Sequence, residues 1–342
     1  MLFDRFRTSR TEQELRVMTF SAMATKAQQE NVAWPCKKPG VPAWTDRKAA
    51  AIEILGRKSY DFIGLQRVGI HSGSDDDAPS AFALNLTGYG VLSRSLDPEH
   101  HRQGEGLAIL YNDRNWRLCP EAFPMVWFAP DPPMPGVAGT GFLFGKFQHR
   151  HTGKTMFVYV TRLRAAPDAE AYRAASIVQL VQHIAGQTQG KSSVIVLADA
   201  NLTENSPEIK FVLGKEHFRY GEFKMRSPMP LIEALQACHP EWIGKKRSQH
   251  NFDRPENGAG GFRNDMIFVS PDLSPKDADI LGPATNGVFP SYHYPVTATI
   301  ACQSTGTIRL SGGQHMVDAF HRLAARCRRI LRSVFARFRG SA

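Results

Sequence analysis

The chain has 342 residues, 42% of them apolar, and a formal net charge of +10. That length holds one large domain or two ordinary ones, and that apolar content excludes a disordered polyelectrolyte. No apolar run approaches the ~20 residues that span a bilayer, and the N-terminal MLFDRFRTSR lacks the apolar core of a secretory signal.

The charge is unevenly placed. Residues 303–342 hold eight Arg, no Lys and one Asp, which is +7 of the total and leaves +3 for residues 1–302. The main body is close to balanced, so nucleic acid stays open as a partner without being implied. Five cysteines, an odd number with no CxxC pair, fit a reduced cytoplasmic setting and no zinc centre.

Residues 1–14 read as a polar tail. From Leu15 to Phe20 apolar and polar residues alternate as in a strand, and Trp44 to Lys58 reads as a helix with Thr45 as its cap. Tyr60–Gln66, Ala108–Tyr111 and Thr155–Val160 read as strands. Ala169–Ala185 is a second helix, with Ile177, Leu180, Val181 and Ile184 on one face. Val194–Leu197, Met266–Val269 and Val296–Ile300 complete the strands. His71–Pro79 and Pro124–Pro135 read as surface loops, with Asp75, Asp76 and Asp77 solvated in the first. His100 and His101, and His149 and His151, read as two solvated pairs. Strands interleaved with few helices indicate an α/β layered domain over residues 15–302, followed by a linker at 303–313.

The segment Leu197-Ala198-Asp199-Ala200-Asn201 closes a buried strand. Period-2 geometry puts Asp199 and Asn201 on one side, where a carboxylate and an amide suit a site that orients water beside a phosphate.

Seven strings in order, LRVMTF, WTDRKAAAIEIL with DFIGLQ, GEGLAILYN, TRLRA, LADAN, RNDMIFVS and SYHYPV, are similar to the motifs of one family. The chain resembles the endonuclease/exonuclease/phosphatase superfamily, the metal-dependent fold of deoxyribonuclease-like nucleases, sphingomyelinases and inositol-phosphate phosphatases. The resemblance implies a four-layer α/β sandwich, two facing β-sheets with helices outside. It also implies a hydrolase that uses Mg2+ or Mn2+ to neutralise and polarise a phosphoryl group.

Carried over residue by residue, the resemblance gives Asp199 and Asn201 as water-orienting residues, Asp265 as a metal-site carboxylate and His293 as the terminal acid/base. Four positions depart from it. Ser21 stands where the family has Asn, Arg67 where it has the metal-ligand Glu, Arg162 where it has His, and Tyr292 where it has an Asp expected to hold the following His. A guanidinium in place of a carboxylate repels a divalent ion, so no metal cofactor is expected if catalysis is lost. His293 without its Asp loses the group that fixes its tautomer. Glu105 can bond across the same pocket. Arg67 and Arg162 together can hold a phosphate by paired hydrogen bonds without a metal; free drift of both positions after loss of activity is the alternative.

Residues 314–339 read as a basic amphipathic helix. Phe320, Leu331 and Phe335 lie in its apolar stripe, and Arg328, Arg329 and Arg332 are among its seven arginines. Such a helix suits an anionic membrane surface, a protein groove, or docking on its own domain. The expected function is therefore a degenerate phosphoesterase-like domain that binds a phosphorylated or anionic ligand, with membrane-peripheral attachment through the tail. The rival is a working metal-dependent phosphodiesterase or phosphatase.

Overall fold

In the computed structural model the described residues are 13–25, 39–71, 77–97, 103–120, 125–128, 139–166, 168–220, 223–252 and 263–302. Strand β1 (Gln13–Ala24) is buried on both sides from Val17 onward because both of its faces are covered there. Leu15 and Val17 enter a core between two sheets, whereas Met18, Phe20 and Ala22 enter a core beneath helices.

The same division runs through the chain. The first sheet has six strands: β1, β2 (Phe62–His71), β3 (Tyr89–Ser95), β4 (Gln103–Asn112), β14 (Leu273–Ile280) and β15 (Val296–Cys302), in the order β14-β15-β1-β2-β4-β3. The second sheet runs β12 (Ile232–Glu233), β13 (Asp265–Val269), β9 (Ser193–Asp199), β8 (Thr155–Arg162), β7 (Gly141–His149) and β5 (Trp116–Leu118), with β6 (Val126–Trp127) also on β7. Leu15, Val17 and Ile109 from the first sheet meet Val158, Val160, Ile195 and Leu197 from the second.

Outside the first sheet, α1 (Trp44–Gly56) and α2 (Ala78–Asn85) bury Ala50, Ile54 and Phe82. Outside the second, α3 (Glu170–Thr188) and α4 (Pro207–Val212) bury Ile177, Val181, Ile184 and Ile209. The four layers are those expected. A short helix α5 (Ala234–Cys238), a 3-10 turn at Pro240–Trp242 and a separate ribbon of β10 (Phe218–Tyr220) with β11 (Phe223–Met225) complete the elements.

Each sheet contains a strand–helix–strand unit with a parallel pair: β1-α1-β2 in the first and β8-α3-β9 in the second. The sheets approach closely at Gly64. A Cβ there would lie 2.6 Å from Leu197 Cβ and 2.9 Å from Val160 Cγ2, so only glycine fits.

Several expectations change. Helix α1 starts at Trp44 after Ala43, with no side-chain cap from Thr45. Strands β3, β7 and β14 were not anticipated. Asp77 is buried rather than solvated: its carboxylate caps α2 through Ser80 N at 3.1 Å and accepts from His71 N at 2.9 Å. His149 is also buried, edge-on to Trp116 at 4.9 Å, and burial lowers its pKa.

Cys119, Cys238 and Cys302 are free thiols. No helix among the described residues is long and apolar enough to cross a membrane. The tail at 1–14 lies almost wholly outside the described residues. The linker at 303–313, the helix at 314–339 with Phe320, Leu331, Phe335, Arg328, Arg329 and Arg332, and His100, His101, Asp75 and Asp76 lie wholly outside them.

Candidate functional site

The candidate site is built on a row of residues across one end of the second sheet. Arg162 at the end of β8 is in register with Asp199 at the end of β9, and Asp199 faces Asp265 at the start of β13. Two carboxylates directly opposite on neighbouring strands repel. Their neighbours relieve that. The Ser21 hydroxyl donates to Asp199 Oδ2 at 3.2 Å, and Arg162 Nε lies 3.8 Å from the same oxygen. His293 Nδ1 is 2.6 Å from Asp265 Oδ2.

The last contact corrects an expectation. His293 keeps an orienting carboxylate although Tyr292 precedes it, because Asp265 supplies one across the fold. The bond occupies Nδ1, so chemistry at the ring falls to Nε2. Burial disfavours a charged imidazole, but the Asp265 and Asp199 carboxylates outweigh it and hold His293 above its ordinary pKa. Burial raises Asp265 against the pull of His293.

The first sheet supplies the rest. β2 carries a bulge at Arg67: the register with β4 passes from Gln66 to Val68, and the ladder with β1 shifts at the same place. Arg67 adopts φ 55°, a left-handed conformation costly for a residue with a Cβ. Its guanidinium donates to the Tyr292 hydroxyl at 2.7 Å and lies 5.5 Å from the centre of that ring. Burial pushes the Tyr292 phenol up to about 12, against the Arg67 charge, so it stays neutral.

Arg162 pairs with Glu105 of β4. Burial alone would raise Glu105, but Arg162 and Arg67 overcome it and leave the carboxyl below its ordinary value. Burial would lower Arg162, yet Glu105 and Asp199 raise it, so it is a permanent cation. Beneath the site Gln66 joins the sheets, donating to Thr19 Oγ1 at 2.9 Å and Leu197 O at 3.1 Å.

Asn201 is placed differently from expectation. β9 ends at Asp199, Asn201 turns to φ 46°, and its amide donates to Leu163 O at 2.8 Å. It anchors the loop after β8 rather than extending the strand face of Asp199. Glu105 bonds across the pocket as the sequence suggested, but its pairing with Arg162, like that of Tyr292 with Arg67, was not foreseen. The only signal for either pairing is the unexpected arginine itself.

The cluster sets Arg67 and Arg162 beside Glu105, Asp199 and the His293–Asp265 pair. Within this cluster four buried polar atoms have no hydrogen-bond partner among the described residues, Arg67 Nε and Arg162 Nε as donors and Asp199 Oδ1 and Asp265 Oδ1 as acceptors, and Gln66 Oε1 beneath them is likewise unpaired.

Asp199, Asp265 and His293 bring one ligand atom each to within 4.8 Å of one another, a group that could hold a metal ion. The surroundings oppose it. A unit cation ~4 Å from a divalent ion costs about 8 kcal/mol at an effective dielectric near 20, and Arg162 is already drawn to Asp199. With Arg67 and Arg162 in place, the residues do not fit a catalytic divalent ion.

No protein-family model matches the sequence, and no curated protein matches it. Among solved structures the chain is similar to an endonuclease/exonuclease/phosphatase from Bacteroides vulgatus, at 18% identity and a TM-score of 0.65, over 85% of this chain and 100% of that one. It is similar to the human Nocturnin catalytic domain with a bound sulfate, at 18% identity and 0.61, over 85% and 96%. It is also similar to a Bacteroides thetaiotaomicron mannosyl-6-phosphatase, at 16% identity and 0.61, over 84% and 99%. At such identities the likeness speaks for architecture, and for architecture it is sufficient: the chain has the endonuclease/exonuclease/phosphatase fold.

Proposed function

We propose that this chain uses the fold without its hydrolytic chemistry and holds a phosphorylated ligand through Arg67 and Arg162. The observation that carries this is the set of four unpaired buried atoms, two N–H donors on the arginines and two carboxylate oxygens. An unmet buried polar atom costs on the order of 1–3 kcal/mol. A hydrated or monoprotonated phosphate answers both kinds at once. Its oxygens accept from Arg67 and Arg162, and its hydroxyl or a bridging water donates to Asp199 or Asp265.

Charge supports the same conclusion. Arg162 is shared by two carboxylates, whereas Arg67 leans on a neutral phenol. Arg67 is therefore the cation with attraction to spare. The similar Nocturnin catalytic domain carries a bound sulfate, which supports an anion-binding reading. One of the similar structures is a phosphatase, but position 67 here offers no carboxylate to hold a metal.

Calorimetry with inorganic phosphate in the presence of a chelator tests binding, with p-nitrophenyl phosphate as an ester probe. Binding without metal is expected, as is no hydrolysis of p-nitrophenyl or bis-p-nitrophenyl phosphate on adding Mg2+ or Mn2+. Metal-dependent turnover that vanishes in Asp199→Ala would establish the rival phosphoesterase instead.

A further inference from the structure

The ribbon β10–β11 belongs to neither large sheet and has two unlike faces. Met225 is buried in the core beneath α3, and Phe218 packs on Phe211 with ring centroids 6.0 Å apart. Alternation along both strands places His217, Arg219, Lys224 and Arg226 on the opposite face. Arg219 is directly opposite Lys224, and Arg226 Nε donates to His217 Nε2 at 3.0 Å. Arg219, Lys224 and Arg226 are exposed.

Like charges facing each other across a ribbon raise its energy. Nothing described relieves them. None of the three cations has a carboxylate partner among the described residues, and the nearby Glu216 is held by Lys210 at 3.0 Å. Desolvation and the charges of Lys224, Arg226 and Arg219 lower His217, which stays a neutral acceptor for Arg226. Arg219, Lys224 and Arg226 thus share one face of an extended element, with no countercharge among the described residues.

We propose that this ribbon face docks the sugar-phosphate backbone of a nucleic acid. Same-face residues recur about every 7 Å along a strand, and neighbouring strands lie about 4.8 Å apart, which gives a row of charge suited to an extended polyanion. A membrane interface requires apolar side chains that enter the acyl boundary. Here Phe218 and Met225 pack inward.

The test is fluorescence anisotropy of a labelled oligothymidylate of about 20 nucleotides. The full chain is compared with a variant carrying Arg219→Glu, Lys224→Glu and Arg226→Glu. Three phosphate contacts contribute a slope of about −2 in log K against log salt. The wild type should therefore lose roughly 20-fold more affinity than the variant between about 50 and about 200 mM salt. The basic segment at 314–339 is common to both proteins, so the difference isolates the ribbon.

Arg219→Glu alone faces Lys224 with the opposite charge. It should melt no lower than wild type and still bind the oligonucleotide more weakly, which separates docking from folding. Equal affinities and equal salt slopes overturn the proposal. So does ribbon-dependent binding to vesicles of anionic lipid with no ribbon-dependent binding of the oligonucleotide, which would assign the surface to a membrane.

Discussion

Replacing Arg67 separates what the residue does for the fold from what it does for a ligand. Its left-handed backbone, φ 55°, costs a residue with a Cβ about 1–2 kcal/mol, and glycine removes that cost. Against this stand the hydrogen bond to Tyr292 at 2.7 Å and the ring contact at 5.5 Å. Arg67 is only half-buried, so the lower ends of the usual ranges apply, about 1.5 and about 0.5 kcal/mol. Arg67→Gly should then lie within about 1 kcal/mol of wild type. Arg67→Ala loses the contacts and keeps the strain, so it should be less stable than Arg67→Gly by about 1 kcal/mol. Urea unfolding reads both differences. At ten times its Kd, inorganic phosphate stabilises a binding protein by about 1.4 kcal/mol; wild type should show this gain with chelator present, and neither variant should. Equal midpoints for Arg67→Ala and Arg67→Gly would mean that the bulge relaxes once the arginine is gone. Undiminished phosphate protection of Arg67→Gly would remove Arg67 from the ligand site and end the proposed function.

Two further outcomes follow from buried groups. His183 is packed against Phe142 and Phe144, each at 4.8 Å, and burial lowers its pKa to about 4. The unfolded chain therefore binds the proton first, and stability should rise with pH between about 4 and the ordinary value near 6.5. His183→Gln should flatten that part of the melting-temperature profile, and an unchanged slope would assign it to other groups. Gly64→Ala places a methyl 2.6 Å from Leu197 Cβ and should cost on the order of 1–3 kcal/mol in urea unfolding. A neutral effect would show that the sheets can part beneath the site.

The layers were legible because the central strands are buried on both faces, and β9 carries a continuous apolar run. β14 was not, since LSPKDADI mixes Pro, Lys and Asp. As the edge of the first sheet it has one side without a ladder and tolerates them. Within the site, motif order pointed to Asp199, Asp265 and His293. Their mutual arrangement depended on the fold. Asp265 reaches His293 from 28 positions away, and Arg67 meets Tyr292 across 225. Four departures read one at a time look like decay. In space they form couples, Arg67 with Tyr292 and Ser21 with Asp199, while Arg162 takes Glu105. Asn201 misled because period 2 holds only while the strand continues, and here it stops at Asp199.

The pairing of β1 with β15 joins Gln13 to Cys302, nearly the full span of the described chain. On a ribosome, β1 emerges before the other described strands, and its antiparallel neighbour β15 is the last of them. Until then it has only β2 beside it, and its other edge can recruit any extended segment in reach. The loop that delivers Tyr292 and His293 precedes β15, so the cluster around Asp199 cannot close earlier either. For most of synthesis Arg67 lacks its phenol and Asp265 its imidazole. A nascent chain stalled before Val296 should therefore be a substrate for holding chaperones, and protection of β1 from proteolysis should appear only as Val296–Cys302 clears the exit tunnel.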